Sequence, residues 1–585
     1  MRASDRRTPV GRVELVFIGG AAGLSIWALL EKAHGVLTNP QLFVGVTSAI
    51  SGYFVVLLAL IGLTTLLRSA FAAAVIALPA ALLLFWCSLR FDTLETFVEA
   101  GHPIFTWALF LFVGTPFIGV WLENSRETFN YARLFNCTWA IVVRYSASWL
   151  FVGLFWVVIF LSDALLQIVG VRMIEKLVEI EPVNFVLSGA VLGLGLSVVF
   201  EMREYVSPFL LLRLLRLLMP VMLVVVLVFV SSLVLRRSPE LFGELSPAAT
   251  ILAVAIGAIS LISVALDRRD VEAVTSVWMR GSAALLAVLL PILACLAAYA
   301  IWLRVVQYGW TPSRLLASTV CTFILIYGVC YAGSVFLRGH WMARIRRVNT
   351  LLAGGILLVC AAWLSPLLNV ESISTNSQVA RYLSGAANIK QAALWEMAHE
   401  WGRSGHQGLI HLEKLPEGAP VALSEAIAVA RKSVDRYRYE EVNEIRSEVS
   451  SEKALALHAL VRVLPVGLDL NSGVWNALPH YRLEEWLDLC RRDRAPGCVL
   501  ILDEFDPTKS GKEGILLLPG RGDTYNAMSV RLEGDAFTAG SYINGFGSVG
   551  IKRDHVQKIL GGSYRIGPSS QKSLWLGDIE LRPKN

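Results

Sequence analysis

Residues 281–303 read GSAALLAVLLPILACLAAYAIWL, a run with no formal charge. A segment that crosses about 30 Å of hydrocarbon needs roughly 20 mainly apolar residues. In lipid no water satisfies the backbone, so such a run closes its hydrogen bonds internally and is read as a helix. The same reading on either side gives ten more runs, at 13–30, 42–63, 69–88, 103–122, 139–161, 183–200, 214–235, 247–266, 315–337 and 348–368. The sixth is short, and the seventh carries Pro220 near its start.

Composition agrees. The chain of 585 residues is 55% hydrophobic and only 17% charged, where soluble domains carry about 25% charged residues. The deficit is confined to the first part. Apolar runs continue to about Leu368, and from Glu371 the charge density becomes that of an ordinary globular protein. The expected fold is a polytopic α-helical membrane bundle of about eleven spans, residues 1–370, with a C-terminal α+β soluble domain, residues 371–585. The formal net charge is +6, and no basic patch is interleaved with aromatics. Nucleic acid is therefore not an expected partner.

Lys and Arg in short loops favour the cytoplasmic side. Arg2, Arg6, Arg7 and Arg12 put the N-terminus inside, and no small-x-small cleavage signal follows the first run, which is read as an uncleaved span. The connection from Arg338 to Arg347 has no acidic residue and falls on the same side if there are eleven spans. An odd count sends the C-terminal domain outward, which in a bacterium with an inner membrane means the periplasm. Six of the eight cysteines fall in or beside spans, where a small apolar side chain is the plain reading. Cys490 and Cys498 flank a polar turn in the soluble part. They are either a disulfide or two free thiols, and an outward domain favours the bond.

Charge within the spans is scarce. Arg144, early in the fifth run, is expected to snorkel to the interface. No chain of acids or histidines runs through the bilayer, which argues against a proton pump or ion channel. Asp92, Glu95, Glu99 and His102 recur at a spacing that would align them on one helix face. They are either an acid–base or metal cluster at the outer surface or the solvated face of an interfacial helix. Arg172, Glu175, Lys176 and Glu179 read as a second interfacial helix.

The C-terminal part patterns as helices over 389–401 and 423–437, then strands over 498–503, 514–518, 527–532 and 574–581. Motifs there fail on spacing. His399-Glu400 begins like a zincin helix, but Arg403 stands where the second ligand belongs. Gly545-x-Gly547-x-x-Gly550 lies in no βαβ context. Asp503, Asp506 and Glu513 line a loop with hard oxygen ligands, a calcium candidate or a plain polar turn. No motif calls for a cofactor.

Two stretches carry a resemblance. One runs from Leu134-Phe-Asn-Cys-Thr-Trp139 into Gly153-Leu-Phe-Trp-Val-Val-Ile-Phe-Leu161. The other is Tyr299-Ala-Ile-Trp-Leu-Arg304-Val-Val-Gln-Tyr308-Gly309-Trp310-Thr311-Pro312-Ser-Arg314. With Ser377-Gln-Val-Ala-Arg381-Tyr-Leu-Ser-Gly385, the chain resembles a bacterial inner-membrane family catalogued only as a domain of unknown function. The resemblance implies architecture and compartment, with no chemistry. In the bottom-up reading, Arg304, Tyr308, Trp310 and Arg314 form an outer connection that binds lipid phosphates or docks the C-terminal domain.

Membrane lipids and other envelope proteins are the expected partners, and no feature sets an oligomeric state. The expected function is an envelope assembly or interaction protein presenting a periplasmic domain. The alternative is a membrane enzyme or transporter handling a lipid-linked or lipidic substrate, although the first outer loop, 31–40, is short for a membrane glycosyltransferase.

Overall fold

The computed structural model describes residues 11–581 apart from 34–36, 63–64, 202–207, 236–246, 416–420, 437–438, 440–447, 466–467, 492–495, 506–511, 534–535, 544–550, 567–573, 577–578 and single positions between them. Arg2, Arg6, Arg7, Arg338, Asp506 and the Gly545–Gly550 motif lie outside the described residues. The chain divides into two compact units, Met1–Ile427 and Ala428–Asn585. The change of composition near Glu371 thus marks a change of solvent, and compaction divides the chain later.

Eleven helices among the described residues are long and apolar enough to span a membrane. In order they are Arg12–Lys32, Pro40–Leu60, Leu66–Ser88, His102–Glu123, Tyr131–Ile168, Glu181–Glu201, Leu212–Ser232, Ala248–Leu266, Val277–Tyr308, Pro312–Phe336 and Trp341–Leu364. This is a multi-pass α-helical membrane bundle. The fifth span is longer than its apolar run: 38 residues reach about 57 Å at 1.5 Å per residue, well beyond the hydrocarbon. Polar residues at both ends extend it, because helix hydrogen bonding does not stop where hydropathy does.

The first and sixth spans cross at van der Waals contact of their backbones. A Cβ on Gly19 would lie 2.1 Å from the carbonyl oxygen of Gly189, and one on Gly189 the same distance from that of Gly19. One turn away in each direction, a Cβ on Gly23 would meet the Phe185 oxygen at 2.0 Å, and one on Gly193 the Leu15 oxygen at 2.1 Å. Both helices therefore carry Gly-x-x-x-Gly on the contact face, the pattern that lets membrane helices approach through small residues. At the end of the crossing Arg12 Nε donates to Glu201 Oε1 at 2.8 Å.

Arginines close the helix ends on the face that carries the N-terminus. Arg144 does not snorkel; it is 7% exposed. Its Nη2 donates to Ile61 O at 3.1 Å and its Nη1 to Ala59 O at 3.4 Å, at the C-terminus of the second span. The last carbonyls of a helix lack intrahelical partners, and here the buried guanidinium supplies the donors. The arrangement recurs six spans later. Arg346 of the eleventh span donates to Leu266 O at 2.8 Å and Asp267 O at 3.0 Å, at the C-terminus of the eighth. Arg216 of the seventh joins it, donating to Val264 O at 3.1 Å and pairing with the Asp267 carboxylate.

In the second unit, strands β1 (Val461–Leu464), β2 (Cys498–Asp503), β3 (Lys512–Pro519), β4 (Thr524–Glu533) and β5 (Ala536–Ile543) form a sheet in that order, with β6 (Ile551–Lys552) paired to β4. β1 runs parallel to β2 and the rest of the order is antiparallel. Alternation fills both faces. Leu500, Leu502, Leu516 and Met528 pack with Trp475 and Trp486 on one side. Val499, Ile501, Leu517 and Ala527 pack with Val556 on the other. The strand expected over 574–581 is instead a hairpin, β7 (Leu574–Leu576) with β8 (Ile579–Leu581). Cys490 and Cys498 are bonded, with Cα atoms 5.4 Å apart, and tie helix His480–Arg491 to β2.

Two tests follow from this packing. Gly19→Ala or Gly189→Ala should destabilise the protein in detergent by on the order of 1–3 kcal/mol through overpacking, read as a lower melting temperature. Gly20→Ala, whose Cβ would meet nothing closer than 3.8 Å, should not; equal tolerance at all three refutes the close crossing. Reducing Cys490–Cys498 should destabilise the second unit by about 2.5 kcal/mol on the loop-closure argument, read by denaturant titration of the full chain with and without reductant.

Candidate functional site

The third span ends at Ser88, and the eleventh ends at Leu364 on the same face, opposite the N-terminus. Arg90, just past the third, reaches the eleventh: its Nη2 donates to Trp363 O at 3.1 Å and also to Ser365 O. Its Nη1 donates to Glu371 Oε2 at 3.1 Å. Glu371 sits in the first turn of helix Val370–Leu383, where Asn369 supplies the N-cap by accepting from Ser372 N. A carboxylate there is favoured by the helix dipole. The side chains of Arg90 and Glu371 are 8% and 1% exposed.

His102 opens the fourth span and completes the cluster. Trp363 Nε1–H can only donate, so His102 Nδ1, 3.1 Å away, is the acceptor. Nε2 then carries the ring proton and faces Glu371 Oε1 at 3.2 Å. Strict hydrogen-bond geometry leaves that oxygen unpartnered. The 3.2 Å approach of a ring N–H to a buried carboxylate is nonetheless the contact that matters electrostatically. Burial pushes the Glu371 carboxyl up, and the close His102 ring N–H and the Arg90 charge more than reverse this, holding it below the ordinary carboxylate value. The buried charges of Arg90 and Glu371 balance.

A second tier lies outside the first. Asp92 Oδ1 accepts from Arg403 Nε at 3.0 Å, and Asp92 Oδ2 lies 3.1 Å from His406 Nδ1. Helix Gly402–Glu413 comes this close because Gly402, at φ +50°, leaves no Cβ to strike Arg90 O, which would be 2.5 Å away; Arg403 N donates to that same oxygen at 2.9 Å.

Trp363 is also a wall of a cleft. The fourth, eighth, tenth and eleventh spans enclose about 410 Å³ lined by Phe105, Ile259, Val320, Phe323 and Ile356 among others.

The family described as Domain of unknown function (DUF4153) matches residues 49–395. The chain belongs to that family. No curated protein and no solved structure matches it. The matched span takes in Arg90, His102, Trp363 and Glu371, and ends in the first turn of helix Leu394–His399.

Two of the stretches that carry the resemblance to this family touch one another. Gln378 Nε2 donates to Tyr308 O at 2.8 Å and Trp310 O at 3.1 Å. Arg381 donates to Val306 O at 3.0 Å and Gln307 O at 2.8 Å, and Trp310 N to Ser377 Oγ at 3.3 Å. Arg314 Nη1 donates to Gly309 O at 2.7 Å. Arg304 and Arg314 each place a guanidinium near the Tyr308 ring, at 5.7 and 5.5 Å. The connection thus seats helix Val370–Leu383 on the C-terminus of the ninth span.

The four acidic-stretch candidates do not share one helix face. The helix between them is only Leu94–Ala100, and Gly101, at φ +65°, ends it before His102. His102 is buried, Asp92 joins Arg403 and His406, and Glu95 and Glu99 are exposed. Asp503 and Glu513 face each other across β2 and β3, and Glu513 pairs with Arg531 at 2.7 Å. No group of three or more metal-ligating side chains occurs among the described residues. Sequence reading missed Arg90, Trp363 and Glu371. The available signal was a lone arginine and a lone carboxylate, each a few residues past an apolar run.

The depressed carboxyl fixes the sign of the pH dependence. The stability from ionised Glu371 is fully present above the ordinary carboxylate value, about 4.3, and is lost as pH falls through the lower folded value. The melting-temperature gap between wild type and Glu371→Gln should hold from pH 7 to 5 and shrink below that. A gap constant down to pH 3 refutes the ionised pair. Arg90→Met, which leaves a buried carboxylate unpaired, should cost about 3–5 kcal/mol.

Proposed function

We propose that this protein is a plasma-membrane platform of the bacterial envelope, with its N-terminus in the cytoplasm and its C-terminal unit, 428–585, on the far side, where it engages other envelope proteins. The observation that carries this reading is the anchoring of the post-span chain. Helices Val370–Leu383 and Gly402–Glu413 are held on the spanning helices by Glu371, Gln378, Arg381 and Arg403. A rigid base of this kind suits a protein that presents a domain. Two further features support the sidedness. The Cys490–Cys498 bond suits an oxidising compartment. Arg126, Arg133, Arg268, Arg269, Arg344 and Arg347 all lie toward the face of the N-terminus, as the positive-inside rule asks.

A second reading, the handling of a lipidic envelope substrate, is favoured by one feature, the apolar cleft beside Trp363.

In intact bacteria, a C-terminal alkaline phosphatase fusion should be active and a C-terminal fluorescent-protein fusion dark. The reverse pattern puts the unit inside and ends the proposal. Photo-crosslinkers placed on exposed positions of the C-terminal unit should trap a small set of envelope proteins, and a chain that traps nothing in growing cells counts against the platform.

A further inference from the structure

The cleft between the fourth, eighth, tenth and eleventh spans has no role in the platform reading. We propose that it is a binding site for one acyl chain of a membrane phospholipid from the leaflet opposite the N-terminus. Length is the first argument. Along the tenth span the lining runs from Leu316 to Tyr327, about 16 Å of helix. One leaflet's share of the hydrocarbon core is about 15 Å. The cleft starts at the surface, since Trp363 is the last residue but one of the eleventh span and Phe105 lies in the first turn of the fourth. It ends near the midplane and therefore matches the depth of a single chain.

Chemistry is the second argument. The Ser and Thr hydroxyls in the wall are taken by their own helices: Thr106 donates to His102 O at 2.7 Å, Ser260 to Ile256 O at 2.9 Å and Thr319 to Leu315 O at 2.9 Å. No charged side chain lines it. Such a wall offers no charge to an ion or a free carboxylate. An empty apolar void of this size forfeits the dispersion contacts of its lining, and the solvent at this depth is hydrocarbon.

Supply is the third argument and selects a phospholipid. The cleft opens at the membrane surface between four spans, so the acyl chains within reach are those of the surrounding bilayer, which phospholipids carry. Arg314 takes no part: it stands two residues before Leu316, about 200° around the helix, and turns to Gly309 O at the end of the ninth span, away from the cleft.

The site goes beyond the platform reading, and either can fail alone. The full chain would be placed in nanodiscs of phosphatidylethanolamine and phosphatidylglycerol, with a trace of phosphatidylglycerol carrying a diazirine on one acyl chain. It would then be photolysed and mapped by peptide mass spectrometry. Labels should concentrate several-fold on residues 316–327 and 356–363 over the lipid-exposed face at 149–161. Ser260→Phe, and independently Thr319→Phe from the facing wall, should remove the excess while leaving the labelling at 149–161 and the melting temperature unchanged. If one variant does not fold, the other decides. Labelling that follows exposure alone, or that survives the folded variant, overturns the site. Equal labelling of 316–327 by a diazirine free fatty acid at the same dose overturns the assignment to a phospholipid.

Discussion

A helix that stops at a membrane surface leaves its last four carbonyl oxygens without intrahelical partners. It also carries a partial negative charge at that end. Where neighbouring helices pack over the end, water cannot repair the deficit, and each open carbonyl is costly. In this protein guanidinium groups repair it. Arg144 closes the second span, Arg216 and Arg346 the eighth, Arg314 and Arg381 the ninth, and Arg90 the eleventh. A guanidinium has five N–H donors in a rigid fork and no acceptor, so one side chain reaches two carbonyls and still faces a carboxylate. The same contact sets which helices are neighbours, because each cap comes from a different segment than the end it closes.

The caps also explain how the chain leaves the membrane. Arg381 and Gln378 belong to the helix after the last span, and their acceptors to the end of the ninth. Arg90 holds both the end of the eleventh span and Glu371 in the next helix. Capping and anchoring are one set of hydrogen bonds. Breaking one partner of a buried pair leaves an uncompensated charge, so the helices from 370 to 413 are held to the bundle. The Arg144 and Arg346 caps, six spans apart and facing the same membrane surface, follow the spacing of a parallel internal repeat.

Much of the bundle was legible in the sequence, since a charge-free run such as 281–303 admits few conformations in lipid. The ends were less so: the fifth span continues through polar turns to Tyr131 and Ile168. The Gly-x-x-x-Gly faces of the first and sixth spans stood in the sequence, yet nothing there said that these two of eleven would meet. In the second unit the antiparallel strands β2, β3 and β4 follow from alternation and turns. β1 is a short segment that earns its place only by pairing with a strand more than thirty residues on.

The candidate site was legible in pieces. His102 and Asp92 drew notice as part of an acidic stretch, and Arg304–Arg314 as an outer connection. Their partners come from segments more than sixty residues away, and helix spacing within one stretch carries no information about them. Sequence alone therefore determined the solvent, the number of crossings and the alternation of strands, because each follows from local hydropathy and backbone hydrogen bonding. Tertiary structure decided which carbonyl each arginine closes, that the His102 ring meets Glu371, and that four spans leave an apolar cleft. Those depend on which helices pack together, and packing is set by contacts between distant residues.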